Sequence, residues 1–294
     1  MLDFLKTYLE LIRFSHTVFA LPFAYIAAML AWTRDEFRWL DLVGILACMV
    51  TARTAAMAFN RLVDRRYDAA NPRTAKRHLP AGLLSVPAVT TFTLAACGLF
   101  LAATFLFQLR EPVNPWPAYL GVPVLLFLLG YSLAKRFTSL AHFWLGAALM
   151  LAPLAAWIAI LGLVQLETPA ALAAVVLFWV AGFDVLYACQ DADYDRTAGL
   201  HSLPARLGVR AALRLAAGCH AVMFAALIAF GVVTPELRIV YFVGLVPIAL
   251  LLVYQHSLVK PTDLARVNRA FFQVNAVISF GLLALVGLQL WLKV

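Results

Sequence analysis

The chain has 294 residues, of which 64% are hydrophobic and only 13% are charged, and its mean hydropathy is +0.89. So little polar material cannot cover the surface of a soluble globule, in spite of a net charge of +8. The composition therefore predicts an all-α integral membrane protein. A β-barrel is excluded, because it would show alternating hydrophobicity in segments of about ten residues.

About nine apolar segments follow one another along the chain, separated by short polar breaks, and a helix needs about 20 such residues to cross a bilayer. We place these transmembrane helices near residues 16–32, 40–60, 86–107, 119–133, 140–163, 170–190, 209–233, 237–254 and 270–291. The chain is expected to form a single transmembrane domain, 1–294, with polar loops near 60–86 and 187–208.

The basic residues are unevenly distributed between the two sides of this arrangement. If the N-terminus is cytoplasmic, most of the 23 Lys and Arg residues fall in cytoplasmic segments, as the positive-inside rule requires. The charge is thus explained by membrane topology, and no nucleic-acid partner is expected. We predict a location in the bacterial inner membrane, with both polar loops facing the cytoplasm.

Two polar stretches share a pattern, "NRLVDRRYDAANPRTAKRHLPAG" at 60–82 and "YACQDADYDRTAGLHSLPA" at 187–205. Each contains Arg-Thr-Ala, then His, then Leu-Pro-Ala. Upstream of these shared letters, polar side chains recur at steps of four, which places them on one face of a helix. These are Asn60, Asp64 and Asp68 in the first motif, and Tyr187, Asp191 and Asp195 in the second.

Clustered carboxylates repel one another unless a cation holds them together. Oxygen ligands without His or Cys at ligand spacing favour Mg²⁺. The candidate ligands are Asn60, Asp64, Asp68, Asp191 and Asp195, and the four aspartates are also the candidate catalytic residues. The alternative is a set of interfacial carboxylates paired with nearby arginines.

Basic residues accompany these acids and suggest the substrate. Carboxylates, Mg²⁺ and guanidinium or ammonium donors together bind a diphosphate and stabilise it as a leaving group. The candidates are Arg73, Lys76 and Arg77 after the first motif, and Lys135 and Arg136 on a separate cytoplasmic edge. The alternative for Arg73 to Arg77 is a patch that binds lipid head groups.

Arg53 lies inside a predicted span, seven residues before Asn60 and on nearly the same face. A charge at that depth requires a wet cavity or a partner. It is expected either to pair with Asp184 or to anchor a substrate carboxylate or diphosphate. Arg13 and His16, which open the first span, are further candidates for substrate binding.

These motifs resemble those of the UbiA-type intramembrane aromatic prenyltransferases, above all the 4-hydroxybenzoate polyprenyltransferase branch and the related enzymes of menaquinone synthesis. "NRLVDRRYD" matches the first motif, with Arg61 in an often acidic place, and "YACQDADYD" matches the second, followed by Gly199 and Ser202. "YSLAK" supplies a Tyr-x-x-x-Lys motif, Tyr131 to Lys135.

The resemblance implies a ring of nine helices around a central cavity with cytoplasmic caps, in which two Mg²⁺ ions bridge the aspartate motifs to a prenyl diphosphate. It adds Tyr131 and Ser202 to the expected substrate-binding residues, which also include Tyr187 and Asp184 because both lie on the helix face of Asp191. The implied reaction is transfer of a polyprenyl group to an aromatic acid in lipoquinone biosynthesis. We expect 4-hydroxybenzoate as the acceptor, with a naphthoate of menaquinone biosynthesis as the alternative.

Two other classes of protein are considered. A secondary transporter fits the internal similarity and the intramembrane charges, but its sites usually lie near the bilayer midplane, whereas these acids cluster at helix ends. A lipid phosphoalcohol transferase carries its acids in one continuous segment with an earlier Asp-Gly and Ala-Arg, and this chain lacks that arrangement.

Overall fold

The computed structural model describes residues 2–12 and 20–292, and the side chains from residue 7 onward within them. These residues form helices and turns, with one isolated β-bridge between Lys260 and Asp263. The α-helices are α1 (Leu2–Leu11), α2 (Leu21–Ala31), α3 (Trp39–Ala70), α4 (Val86–Thr104), α5 (Trp116–Gly130), α6 (Ala141–Leu161), α7 (Glu167–Ala188), α8 (Ala192–Thr197), α9 (Leu203–Leu207), α10 (Val209–Val233), α11 (Ile239–Ser257) and α12 (Asn275–Leu292).

Eight helical segments of the described chain are long and apolar enough to cross a membrane, and α2 is a shorter apolar helix. They are 39–70, 86–108, 116–136, 141–161, 167–197, 209–233, 239–257 and 269–292. The predicted all-α membrane architecture with about nine spans is therefore confirmed. The span expected to be short, 119–133, reaches full length because 3₁₀ turns over Tyr131–Arg136 extend α5. Residues 16–19 of the first predicted span lie outside the described residues.

The chain divides into two compact units, of which the first comprises 1–17 and 38–134. Within it α3 packs along α4 and α5. Tyr8 and Leu11 of α1 pack with Ala58 of α3 and Val89 of α4 in a buried apolar cluster. Near the start of α3 the carboxylate of Asp41, fully buried, lies 3.4 Å from the guanidinium of Arg110. This pair compensates two charges that would be costly if they were buried alone.

The second unit comprises 18–37 and 135–294 and is built around α7. In the most apolar stretch of that helix 72% of the residues are buried, more than in any other candidate span. Helices α6 and α10 pack along it. Gly146 of α6 permits this approach, because a Cβ there would collide with the backbone oxygen of Leu177. The same holds for Gly182 against the ring of His220 on α10.

A polar cluster joins the loops of this second unit. Arg34 donates from Nε and Nη2 to the two carboxylate oxygens of Glu236, at 2.8 Å and 3.0 Å. Its guanidinium also lies over the ring of Trp157, 4.9 Å from the ring centre. Paired donors and a planar face are what distinguish arginine from lysine, so the cluster depends on the guanidinium itself.

Candidate active site

The first aspartate motif lies on α3, which continues without interruption from Trp39 to Ala70. Asn60, Asp64 and Asp68 therefore share one helix face, as predicted. Asn60 donates from Nδ2 to Asp64 Oδ2 at 2.9 Å. This bond leaves the amide oxygen of Asn60 as an acceptor, the type of atom that a hard cation requires.

Asp68, near the end of α3, binds the basic segment that follows. Asn71, in extended conformation before Pro72, ends the helix. The turn returns the chain so that Arg77 Nη1 lies 2.6 Å from Asp68 Oδ1, and Thr74 Oγ1 donates to the Asp68 backbone oxygen at 3.0 Å. The predicted diphosphate-binding residue Arg77 is thus brought together with the predicted metal ligand Asp68.

Arg61 contacts the same carboxylate, which the sequence did not reveal. Its Nη1 lies 3.8 Å from Asp68 Oδ2, and its Nε donates to the backbone oxygen of Leu11 at 3.4 Å. Arg61 and Asp68 are each only 7% exposed. Arg61, at a motif position that is often acidic, is therefore a buried ion-pair partner of Asp68.

The other predicted basic residues of the first unit differ in burial. Arg53 is half-buried inside α3 and lies near Tyr131, so two predicted substrate-binding residues are neighbours. Arg73 and Lys76 are exposed, and the backbone amide of Arg73 donates to Asn71 Oδ1 at 2.9 Å. Flexible exposed donors of this kind are suited to an anionic ligand that arrives from solution.

The second motif departs from the regular helix that its spacing predicts. Helix α7 ends at Ala188, Cys189–Asp191 wind as a 3₁₀ turn, and α8 begins at Ala192. The expectation that Tyr187, Asp191 and Asp195 share one α-helical face is wrong at this point, because 3₁₀ winding rotates each residue further than an α-helix does. Asp191 and Asp195 are both buried, at 7% and 3% exposure.

Asp184, one turn before Tyr187, has a partner that sequence reasoning missed. His142 on α6 is completely buried, and its Nδ1 lies 2.6 Å from Asp184 Oδ2. Its Nε2 accepts a hydrogen bond from the backbone amide of Leu203 at 3.4 Å. His142 therefore connects α6, α7 and the first residue of α9.

The segment after the second motif is held by a local hydrogen bond and by a hydrogen bond to the segment of Lys135. Ser202 is fully buried and caps α9 by accepting from the amide of Ala205. The amide of His201 donates to the backbone oxygen of Lys135 at 2.8 Å. Lys135, half-buried, and Arg136, exposed, thereby lie beside the loop that follows the second motif. The predicted candidates Arg13 and His16 lie outside the described residues.

The aromatic side chains near the motifs are mostly packed. Phe23, Trp157 and Phe183 are at most 2% exposed, so within the second unit they contribute to the core. Phe178 is half-buried.

In the described part of the chain, no three His, Cys, Asp or Glu side chains lie close enough to hold a metal ion by themselves. Each motif supplies only part of a coordination shell, which suits Mg²⁺, because this ion usually keeps water and substrate phosphate oxygens. Asp195 Oδ2 is buried and accepts no hydrogen bond from any residue that the structure describes, a costly state for a carboxylate oxygen that a cation would relieve. The residues present fit Mg²⁺.

These observations define an integral membrane protein that presents two acidic motifs with adjoining arginines and lysines. The model of the UbiA prenyltransferase family matches residues 20–287. The chain belongs to the UbiA prenyltransferase family, and the resemblance seen in its motifs is confirmed.

Individual relatives match over nearly the whole chain. The 4-hydroxybenzoate octaprenyltransferase of Aromatoleum aromaticum is 29% identical over 278 residues, which cover 93% of this chain and 90% of that protein. The 4-hydroxybenzoate octaprenyltransferase of Nitrosomonas europaea is 30% identical over 296 aligned positions, which cover 96% of this chain and 95% of that protein.

Solved structures show the same fold. The apo structure of a UbiA homolog from Aeropyrum pernix K1 is 32% identical, covers 94% of this chain and 97% of that one, and gives a TM-score of 0.81. A UbiA homolog from Archaeoglobus fulgidus, solved with DMAPP and Mg²⁺ bound, gives a TM-score of 0.75 over 97% of this chain and 99% of that one. At 19% identity the second likeness concerns the fold alone.

Proposed function

We propose that this protein transfers a polyprenyl group from a prenyl diphosphate to an aromatic acid, 4-hydroxybenzoate in the first place, in lipoquinone biosynthesis. Residues 1–294 act as a single transmembrane prenyltransferase domain. The observation that carries the proposal is the buried Asp195 Oδ2, which accepts no hydrogen bond from the described residues and is the kind of oxygen that Mg²⁺ binds. The names of the relatives from two bacteria favour the same reaction.

Two Mg²⁺ ions are the proposed cofactor, and they would neutralise the diphosphate and make it a better leaving group. Asn60, Asp64 and Asp68 would supply the ligands of one motif, and Asp191 and Asp195 those of the other. In the first motif Asp68 would hold the cation in place of its contact with Arg77. Arg77 would then be available, together with Arg73 and Lys76, as a donor to diphosphate oxygens.

Lys135 and Arg136 supply further positive charge to the diphosphate. Charge-assisted hydrogen bonds to phosphate are about twice as strong as neutral ones, so these residues stabilise the leaving group as negative charge develops on it. The bond between the allylic carbon and the diphosphate oxygen breaks, and the electron-rich ring of the phenolic acceptor forms a bond to that carbon. The ring then gives its proton to Asp191 or to an oxygen of the released diphosphate, which restores aromaticity.

The carboxylate of the acceptor is assigned to Arg53. Its guanidinium offers paired donors that match two carboxylate oxygens, and Tyr131 beside it adds a hydroxyl group. Tyr187, Asp184 and Ser202 complete the substrate-binding residues of the second unit, and Arg13 and His16 remain candidates beside the first span. A naphthoate acceptor of menaquinone biosynthesis would use the same carboxylate anchor.

The lipid-soluble product explains why this chemistry belongs in a membrane. We propose the bacterial inner membrane as the location, with both motifs on the cytoplasmic side, because most Lys and Arg residues fall in the segments assigned to that side.

The test is an acceptor panel. Membranes containing the protein are incubated with radiolabelled prenyl diphosphate, Mg²⁺ and either 4-hydroxybenzoate or a dihydroxynaphthoate, and the lipid phase is analysed for a prenylated ring. Label in a prenylated 4-hydroxybenzoate is the expected result. Product with the naphthoate alone would reassign the acceptor. Uptake of an unmodified substrate into vesicles, without any prenylated product, would favour the transporter and contradict the proposal.

A further inference from the structure

The last transmembrane segment begins with an irregular turn. Residues Arg269–Val274 form a π-helix directly before α12. A π-helix is wider than an α-helix and leaves backbone carbonyl groups without their usual partners, and such turns are frequent at functional sites. In this chain the freed carbonyl groups are occupied by specific side chains.

Two buried amide side chains bind this turn. Gln255 on α11 donates to the backbone oxygen of Ala270 at 3.0 Å, and Asn275 donates to that of Phe271 at 2.8 Å. Asn275 Oδ1 accepts from Trp179 Nε1 on α7 at 3.0 Å and from Gln255 Nε2 at 3.1 Å. Because buried amides are costly unless they are hydrogen-bonded, this network favours the π-helical backbone over a regular helix.

The wide turn presents Phe271 to the second aspartate motif. The ring of Phe271 lies 4.3 Å from that of Tyr187, at an interplanar angle of 38°. Phe271 also packs edge to face on Phe183, with ring centres 5.3 Å apart. Phe183 and Trp179, one and two turns before Tyr187 on α7, are buried, whereas Phe271 and Tyr187 are half-buried. A column of rings therefore extends from the core of the second unit to the motif.

Tyr187 lies in the last turn of α7. The regular helix ends one residue later, at Ala188, and the 3₁₀ turn that carries Asp191 follows. A packed aromatic neighbour restricts the rotamers of a ring, and this restriction is lost when the neighbour is replaced by an aliphatic side chain.

We propose that Phe271 is a positioning residue for Tyr187, and that the π-helix, fixed by Asn275 and Gln255, presents it. The proposal rests on the proposed function in one respect, namely that an ordered Tyr187 supports prenyl transfer. Neither the spacing of the motifs nor the resemblance assigns a role to Phe271.

The experiment places 3-fluorotyrosine at position 187 of the full-length protein and records its ¹⁹F spectrum in detergent, alongside steady-state prenyl transfer. The fluorine spectrum is recorded for the wild type, for Phe271→Leu and for two control variants. Prenyl transfer is measured for Phe271→Leu, Tyr187→Leu and the double variant. Phe271→Tyr keeps the ring, and Phe230→Leu removes a buried ring that packs on Tyr241 instead. Phe271→Met replaces Phe271→Leu if the latter fails to fold.

We expect the fluorine resonance to shift and broaden in Phe271→Leu and to stay unchanged in Phe271→Tyr and Phe230→Leu. The two single variants should each lower kcat/KM about tenfold, and the double variant should lose no more than the worse single one, because residues that act together are non-additive. An unchanged resonance in Phe271→Leu, or a double variant whose loss is the product of the single losses, would overturn the proposal. If the wild type transfers no prenyl group to any acceptor, the proposed function fails, and the fluorine spectra still decide the positioning.

Discussion

His142 Nδ1 lies 2.6 Å from Asp184 Oδ2, and the imidazole is fully buried while 21% of the Asp184 side chain remains exposed. His142 is thus enclosed by the protein, whereas the carboxylate of Asp184 that it contacts is partly exposed. The polar residue of α7 nearest to the second motif is therefore oriented from another helix, 42 residues away in the chain.

This relationship predicts different effects for two substitutions. His142→Asn places an amide nitrogen near the position of Nδ1 and should keep most of the activity. His142→Leu leaves Asp184 without that donor and should lower both the melting temperature and kcat/KM, since an unmade buried hydrogen bond costs about 1–3 kcal/mol. Steady-state kinetics and thermal melts in detergent measure both effects. Equal behaviour of the two variants would show that the bond has no role.

Arg53→Lys tests the acceptor anchor. The substitution keeps the charge but loses the paired donors, so we expect a higher KM for the aromatic acid and little change for the prenyl diphosphate. If Arg53 instead formed only a structural ion pair, Arg53→Lys would lower the melting temperature and leave both KM values nearly unchanged. Asp41→Ala, which breaks the buried contact with Arg110, is the control for a purely structural loss. If Arg53→Lys matches this control, Arg13 and His16 become the leading candidates for the anchor.

Substitution of the basic residues assigned to the diphosphate should affect the KM for the other substrate, the prenyl diphosphate. Arg73→Ala and Lys135→Ala should each raise the KM for the prenyl diphosphate, by an amount corresponding to about 2 kcal/mol or more, and leave that of the acceptor nearly unchanged. Arg65→Ala is the matched control, because Arg65 is exposed on α3 and donates to the backbone oxygen of Leu62. A raised acceptor KM with an unchanged donor KM would reassign both residues.

The Arg34–Glu236 cluster predicts a pH dependence of stability. Burial raises the pKa of the Glu236 carboxyl, but the hydrogen bonds and charge of Arg34 outweigh this effect, and the net pKa lies below its ordinary value of 4.5. The stabilisation by the carboxylate is therefore complete above that value and is lost as the pH falls through the lowered pKa. Glu236→Gln should melt at a lower temperature than the wild type at pH 7, and the difference should shrink below about pH 4.5. A difference in melting temperature that stays constant as the pH falls below about 4.5 would contradict this assignment.

Much of the architecture could be predicted from the sequence, because hydropathy and charge asymmetry reflect the bilayer directly. The predicted span at 209–233 coincides with α10, and the regular four-residue steps after Asn60 correspond to an unbroken α3. The contact between Asp68 and Arg77 was within reach of the same reasoning, since Asn71 and Pro72 indicate a turn between them.

The remaining features depend on packing that periodicity does not encode. His142 is a lone histidine in an apolar helix, and only the approach of α6 to α7 at Gly146 brings it to Asp184. The 3₁₀ turn at Cys189 and the π-helix before Asn275 change the winding by a residue or less, so the sequence pattern remains helical. The ion pair of Arg61 with Asp68 was hidden because the motif favours an acid at that position.

The central claim, that both aspartate motifs act through a divalent cation, is tested most directly by metal removal and restoration in membranes. Prenyl transfer to 4-hydroxybenzoate is measured for the wild type, Asp64→Asn and Asp191→Asn, first in excess EDTA and then with added Mg²⁺. We expect no product in EDTA, full recovery of the wild type with Mg²⁺, and activity lower by orders of magnitude in both variants at normal levels of inserted protein. Full wild-type activity in EDTA, or a variant that keeps normal turnover, would contradict the account.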